Sequence, residues 1–199
     1  ALSILLVDLD APGITIRPMR TIAGSRTNEV FYDNVRVPKA RLVGEVNKGF
    51  TYILGQLARE RLFPPGQHLR HFDSIVRAWQ GAADPQMFRQ RIAQSRIELE
   101  ASRLLYERCA IMMDQGQEPD LESSLQKLFI SDCAQKMSRL GLDVSGGTGF
   151  GPAGAGEPAR PVSAITRHLG NIVLTIYGGA SEIQKNIIAQ RGLGLPKVR

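Results

Sequence analysis

The run Leu121-Glu122-Ser123-Ser124-Leu125-Gln126-Lys127-Leu128-Phe129-Ile130-Ser131-Asp132-Cys133-Ala134-Gln135-Lys136-Met137-Ser138-Arg139-Leu140 decides the fold class. Its apolar residues at 121, 125, 128, 129, 133, 137 and 140 return every three or four positions, the spacing that gathers side chains on one side of an α-helix. A stripe of this length needs neighbouring helices to cover it. Upstream, Phe88, Ile92, Ile97, Ala101, Leu104 and Ile111 predict a helix over about 86–115. Phe50, Ile53, Leu54 and Leu57 predict another that begins near Asn47 and is interrupted by Pro64-Pro65. Downstream, Ile165, Leu169, Ile172, Val173 and Ile176 mark a helix that ends at Gly178-Gly179. Ser181, with Gln184 three residues on, has the spacing of a capping box for a last helix ending near Gly192. The reading is mainly α: an up-and-down helical bundle.

Residues up to about 42 follow a different pattern. Leu2–Val7, Ile14-Thr15-Ile16, Glu29–Tyr32 and Val35-Arg36-Val37 read as short strands, with turns at Ala11-Pro12-Gly13 and Asp33-Asn34 and a stop at Pro38. Strands this few and short cannot close a sandwich or barrel. They predict the end of a truncated β-domain over 1–42, followed by an α-helical domain over 43–199. The chain opens in mid-strand at Ala1-Leu2-Ser3-Ile4 with no initiator Met or signal peptide, which predicts a fragment of a longer protein.

Lys and Arg number 25 against 19 acids in 199 residues, a net charge of +6, but they are scattered and form no block. Aromatic residues are few, so neither a basic stripe nor a stacking platform argues for nucleic acid. No uncharged apolar run approaches the ~18–20 residues a membrane span needs. Cys109 and Cys133 fall in helical stretches without metal-ligand spacing and read as buried reduced thiols, which fits the cytoplasm. His68 and His71, one helical turn apart, read as a solvated face, and with His168 they offer no metal site.

Glu60 carries the chemistry. Seven residues beyond Ile53, it falls about 20° from that side chain on the apolar face. A carboxylate there is either paired with an arginine such as Arg61 or held in a low-dielectric pocket with a raised proton affinity, suited to taking a proton from carbon. Pro64 has no N–H for the carbonyl of residue 60 and predicts a kink beside it. Two glycine loops follow, Ser145-Gly146-Gly147-Thr148-Gly149-Phe150 and Gly178-Gly179-Ala180-Ser181; the second precedes a helix whose free N–H groups could hold an anion, although both also read as plain helix caps.

Taken in order, three segments resemble the acyl-CoA dehydrogenase family. They are Asn28–Pro38 with Leu42-Val43-Gly44-Glu45 and Lys48-Gly49-Phe50; Glu60-Arg61; and the glycine loop at 145–150 paired with Ile176-Tyr177-Gly178-Gly179-Ala180-Ser181-Glu182-Ile183-Gln184-Lys185-Asn186 and Leu193-Gly194-Leu195-Pro196. The resemblance implies FAD as cofactor and desaturation of an acyl-CoA thioester between its α and β carbons, in the manner of fatty-acid β-oxidation. It implies Glu60 as the general base, because the family's other position for that glutamate is Gly178 here, with Arg61 tuning its charge and position. Asp143, Gly146, Gly147, Gly178, Gly179, Ala180, Ser181 and Glu182 stand where relatives contact FAD. The implied partners are the acyl-CoA substrate, an electron-transfer flavoprotein or similar acceptor, and further subunits of a homo- or hetero-tetramer. Two departures matter: the segment Gly81–Arg91 lacks the Arg-x-x-Phe-Gly motif of many relatives, and Asp143 and Ala180 stand where they often have Gln and Thr. The alternatives are a flavin oxidase or monooxygenase of the same fold, and a non-catalytic partner subunit. The isolated 199-residue chain is expected to be inactive.

Overall fold

A computed structural model describes residues 2–82, 84–146 and 163–197. Its contacts gather into two units, Ala1–Leu57 and Ala58–Arg199.

In the first unit, β2 (Ile14–Arg20) and β3 (Arg26–Tyr32) form an antiparallel hairpin that sets Ile14 opposite Tyr32 and Arg20 opposite Arg26. The reversal at Thr21–Ser25 uses Gly24 at φ +80°, and the Gly24 N–H donates to the Thr21 carbonyl. Two shorter strands, β1 (Ile4–Leu5) and β4 (Leu42–Val43), pair antiparallel. The expected strand at Val35–Val37 does not form. The Asp33 N–H closes the hairpin on the Gly13 carbonyl at 2.8 Å, Asn34 takes a positive φ, and the chain leaves the ladder on its way to Pro38, which flanks a 3₁₀ turn at Lys39–Arg41. A hairpin without a second layer buries little, and Ile16, Val30, Phe31 and Tyr32 are exposed. α1 (Gly49–Glu60) starts in this unit, where the Gly49 N–H donates to the Leu2 carbonyl and the Asn47 N–H to Ser3 Oγ. The contact boundary therefore falls at Leu57, inside a helix, whereas composition places the change of character at 42/43.

The second unit is built on α2 (Gly66–Gln80), α3 (Arg89–Asp114), α4 (Asp120–Ser145), α5 (Ala164–Ile172) and α6 (Ser181–Ile187). α4 touches each of the other four. Around it pack Phe72 and Ile75 from α2, Ile92 and Leu99 from α3, and Leu174 from the 3₁₀ turn after α5, against Ile130, Cys133, Ala134, Met137 and Leu140 of α4 itself. A helix enclosed on most sides must place its polar residues inside as well. Ser124, Ser131 and Ser145 do so by donating to carbonyls one turn back, so small hydroxyls are carried in the interior without orphaned groups.

Four expectations change here. Pro64 does not kink a helix: α1 ends at Glu60 and α2 starts at Gly66, because Pro64-Pro65 leave no donors with which to continue. Ile97, Leu104 and Ile111 are exposed, and α3 turns Ile92, Ser95, Leu99, Ser102 and Cys109 inward instead. His68 and His71 are buried on the inner side of α2, not solvated. Ser181 is the first helical residue, with Ala180 at the cap position and no side-chain capping bond, so the capping box is absent. Cys109 and Cys133 are buried and free, as read from the sequence, and burial pushes their thiols up to about 11 and about 12. No described helix is long and apolar enough to cross a membrane.

Candidate active site at the Gly178-Gly179 turn

Two neighbouring polar residues on α4 organise the site. Gln126, fully buried between Leu125 and Lys127, binds the backbone of Phe63 at both ends of its amide: it accepts from the Phe63 N–H at 3.2 Å and donates to the Phe63 carbonyl at 3.0 Å. This fixes the segment that follows α1, where the two prolines supply no donors of their own. Lys127, also fully buried, donates from Nζ to the Gly179 carbonyl at 2.6 Å. One turn of α4 thus holds the chain after Glu60-Arg61 and the chain after Tyr177.

The two held segments meet. The Phe63 and Tyr177 rings pack edge to face with centroids 5.7 Å apart, and burial raises the Tyr177 phenol. A Cβ placed on Gly179 would lie 3.9 Å from Arg61 Nε and 2.3 Å from Gln184 Nε2. Only glycine is accommodated there: φ is +65° at Gly178 and +93° at Gly179, and the room a side chain would need at Gly179 is taken by Gln184. Gln184 reaches back from α6 and donates to the Gly179 carbonyl at 3.1 Å and to the Gly178 carbonyl at 3.4 Å. Its role is to brace the turn through its side chain, not to cap a helix.

Arg61 is buried, with Nη1 3.7 Å from Asp120 Oδ1; Asp120 also pairs with Arg191. Burial, and then the charge of Arg191, lower the Arg61 pKa, and among the described residues Arg61 Nε and Gln184 Oε1 are buried atoms without a hydrogen-bond partner. Glu60 is exposed. The stripe to which it belongs is itself uncovered, with Phe50, Ile53 and Leu54 all exposed, so the inward-facing position expected from the helical spacing is not realised within this chain.

The other residues singled out in the sequence fall into two places. Arg61, Gly178, Gly179, Ala180 and Ser181 are gathered at this turn, with the exposed Glu182 close enough to raise the proton affinity of Lys127. Asp143 stands at the far end of α4, about 24 Å along its axis from Lys127 at 1.5 Å per residue, and Gly146 caps that end. There Asp143 Oδ2 pairs with Arg91 Nη2 at 2.7 Å beside a depression of about 580 Å³ lined by Gly81, Asp84, Phe88 and Val144. Gly147 lies outside the described residues. Gln126 and Lys127 escaped the sequence reading because they fall between the stripe positions Leu125 and Leu128, where a helix ordinarily carries polar residues toward solvent, and nothing in the sequence marks them as buried.

From Gly178 to Ala180 the turn carries nothing larger than a methyl group, so on the side away from Gln184 and Lys127 no side chain of its own would stand between its backbone and a flat ligand such as the isoalloxazine ring of a flavin.

The family described as acyl-CoA dehydrogenase, C-terminal domain, matches residues 47–193. Acyl-CoA dehydrogenase IpdE1 of Mycolicibacterium smegmatis is 35% identical over 98% of this chain and 50% of its own length. Cyclohexane-1-carbonyl-CoA dehydrogenase of Geobacter metallireducens is 34% identical over 95% of this chain and 51% of its own. Among solved structures, the Tcur3481-Tcur3483 steroid ACAD superposes with a TM-score of 0.88 at 28% identity, over 98% of this chain and 52% of that one. The chain therefore spans about half the length of the curated relatives it matches.

Proposed function

The chain belongs to the acyl-CoA dehydrogenase family, and from that premise we propose that it forms the C-terminal part of an FAD-dependent enzyme that desaturates an acyl-CoA thioester between its α and β carbons. The observation that carries the proposal is the meeting of Arg61 with the Gly178-Gly179 turn, which brings the end of the helix bearing Glu60 to a turn whose bare backbone suits a flavin.

In this reading Glu60 accepts the α proton of the thioester on a carboxylate oxygen. An α proton is weakly acidic, so the base must be drawn out of water and the developing enolate must meet donors. The exposed apolar residues of α1 support the first requirement: a further part of the protein laid over Phe50, Ile53 and Leu54 would also cover Glu60 and raise its proton affinity. The second falls to the Gly178 N–H, directed at the thioester carbonyl oxygen, and to the Arg61 charge beside it. FAD, when bound, supplies the acceptor for the β hydride. Gly178, Gly179, Ala180, Ser181 and Glu182 would hold it on this side. An acceptor of the electron-transfer flavoprotein kind, in the cytoplasm, would reoxidise it.

The Arg91–Asp143 ion pair favours a second reading for the other end of the bundle. A carboxylate repels phosphate and Asp143 is already engaged by Arg91, so Asp143 is a poor flavin contact in this reading, as suits one member of a hetero-tetramer.

The full-length protein is expected to purify yellow and, given an acyl-CoA, to reduce an artificial electron acceptor. A colourless protein that takes up no FAD and reduces nothing across a panel of acyl-CoA substrates would leave the non-catalytic partner subunit as the reading.

A further inference from the structure

Lys127 is a buried charge that the reaction above does not use. Its side chain is fully buried, and no carboxylate lies within ion-pair distance of it among the described residues. Burial first, and then the charge of the neighbouring cation Arg61, lower the Lys127 pKa, and the exposed Glu182 opposes them only in part. An ammonium in such a place opposes folding, and a leucine or methionine would fill the space at lower cost. Its one hydrogen bond, to the Gly179 carbonyl at 2.6 Å, is therefore where its purpose is to be sought.

That bond fixes the orientation of a peptide unit. In a trans peptide the carbonyl and the N–H point to opposite sides. With the Gly179 carbonyl held inward by Lys127 and Gln184, the Ala180 N–H is turned outward; the Gln184 contact on the Gly178 carbonyl turns the Gly179 N–H the same way. Neither amide donates to a described backbone carbonyl. Gly178 and Gly179 carry no Cβ to restrict the peptides that follow them, and rotation of the Gly179–Ala180 peptide would drive its N–H against the ammonium.

We propose that Lys127 is a positioning residue for the flavin: it locks the Gly179–Ala180 peptide so that the Gly179 and Ala180 amides face the bound FAD, and its charge polarises the Ala180 N–H as a donor. This rests on the functional reading above.

The test uses the full-length protein stripped of flavin and titrated with FAD, comparing wild type with Lys127→Met, Lys127→Gln and Lys127→Arg. Loss of a charge-assisted positioning bond is expected to weaken FAD binding about ten- to a hundredfold in Lys127→Met and to shift the visible flavin bands, at unchanged far-UV circular dichroism. Lys127→Arg, which keeps the charge, is expected to recover most of both. Should Lys127→Met fail to fold, folded Lys127→Gln carries the same expectation. Wild-type affinity and flavin bands in either folded variant would overturn the positioning role. A wild-type protein that takes up no FAD would overturn the functional reading itself, a result separate from the behaviour of the variants.

Discussion

His71 shows how a single side chain departs from its one-dimensional pattern. Two histidines three positions apart look like a wetted helix surface, yet α2 turns both inward. His71 lies beside Gly141 of α4, where a Cβ would come within 3.7 Å of its Nε2. Burial first, then the charges of Arg167 and His68, push His71 down to about 3. The folded protein holds this ring neutral, whereas the unfolded chain protonates it near the ordinary value of 6.5. The stability tied to it is thus complete above about pH 6.5 and is lost as pH falls toward about 3. Urea midpoints of the protein are expected to drop steadily from about pH 7 to about pH 4, and His71→Phe, if folded, to flatten that drop. A wild-type midpoint that stays level over this range, or a slope unchanged in His71→Phe, would contradict the assignment. Gln126 and Lys127 teach a related lesson. Apolar spacing locates a helix, but here polar residues off the stripe are the ones that hold loops, and only their bonds to Phe63 and Gly179 reveal this.

Among the elements, extents were far easier to read than orientations. α3 runs from Arg89 to Asp114, within the span expected from its apolar residues, and α4 starts one residue before the quoted stripe. Which side faces inward was not legible, because α3 carries two apolar sides. Leu99 and Cys109 are fully buried, while Ile97, Leu104 and Ile111, seven residues apart, form an exposed row. Periodicity reports both rows equally and cannot say which one the bundle covers. In the β region the hairpin turn was misplaced for a local reason: Asp33 bonds back to Gly13, so Val35–Val37 leaves the ladder instead of returning along it. The exposed α3 row is suited to another subunit of a tetramer, in keeping with the assembly proposed above. Leu104→Glu is expected to leave helix content unchanged but to lower the mass measured by light scattering on a sizing column. An unaltered mass would take this row out of the interface.

At the scale of the whole molecule, the chain spans about half the length of the curated relatives it matches, and it carries exposed apolar surface. Phe50, Ile53 and Leu54 on α1, and Ile16, Val30 and Phe31 on the hairpin, are uncovered here. The family was legible from the sequence because its glycine turns and the Glu60-Arg61 pair are contiguous motifs. The environment of Glu60 was not, because a carboxylate's surroundings are set by whatever packs over its helix. The most direct test of the account is therefore kinetic, made on the full-length protein with FAD bound. Glu60→Gln is expected to retain the flavin and its visible spectrum while acyl-CoA-dependent acceptor reduction falls about a hundred- to ten-thousandfold. Dehydrogenation by Glu60→Gln at the wild-type rate would contradict the claim that this carboxylate removes the α proton.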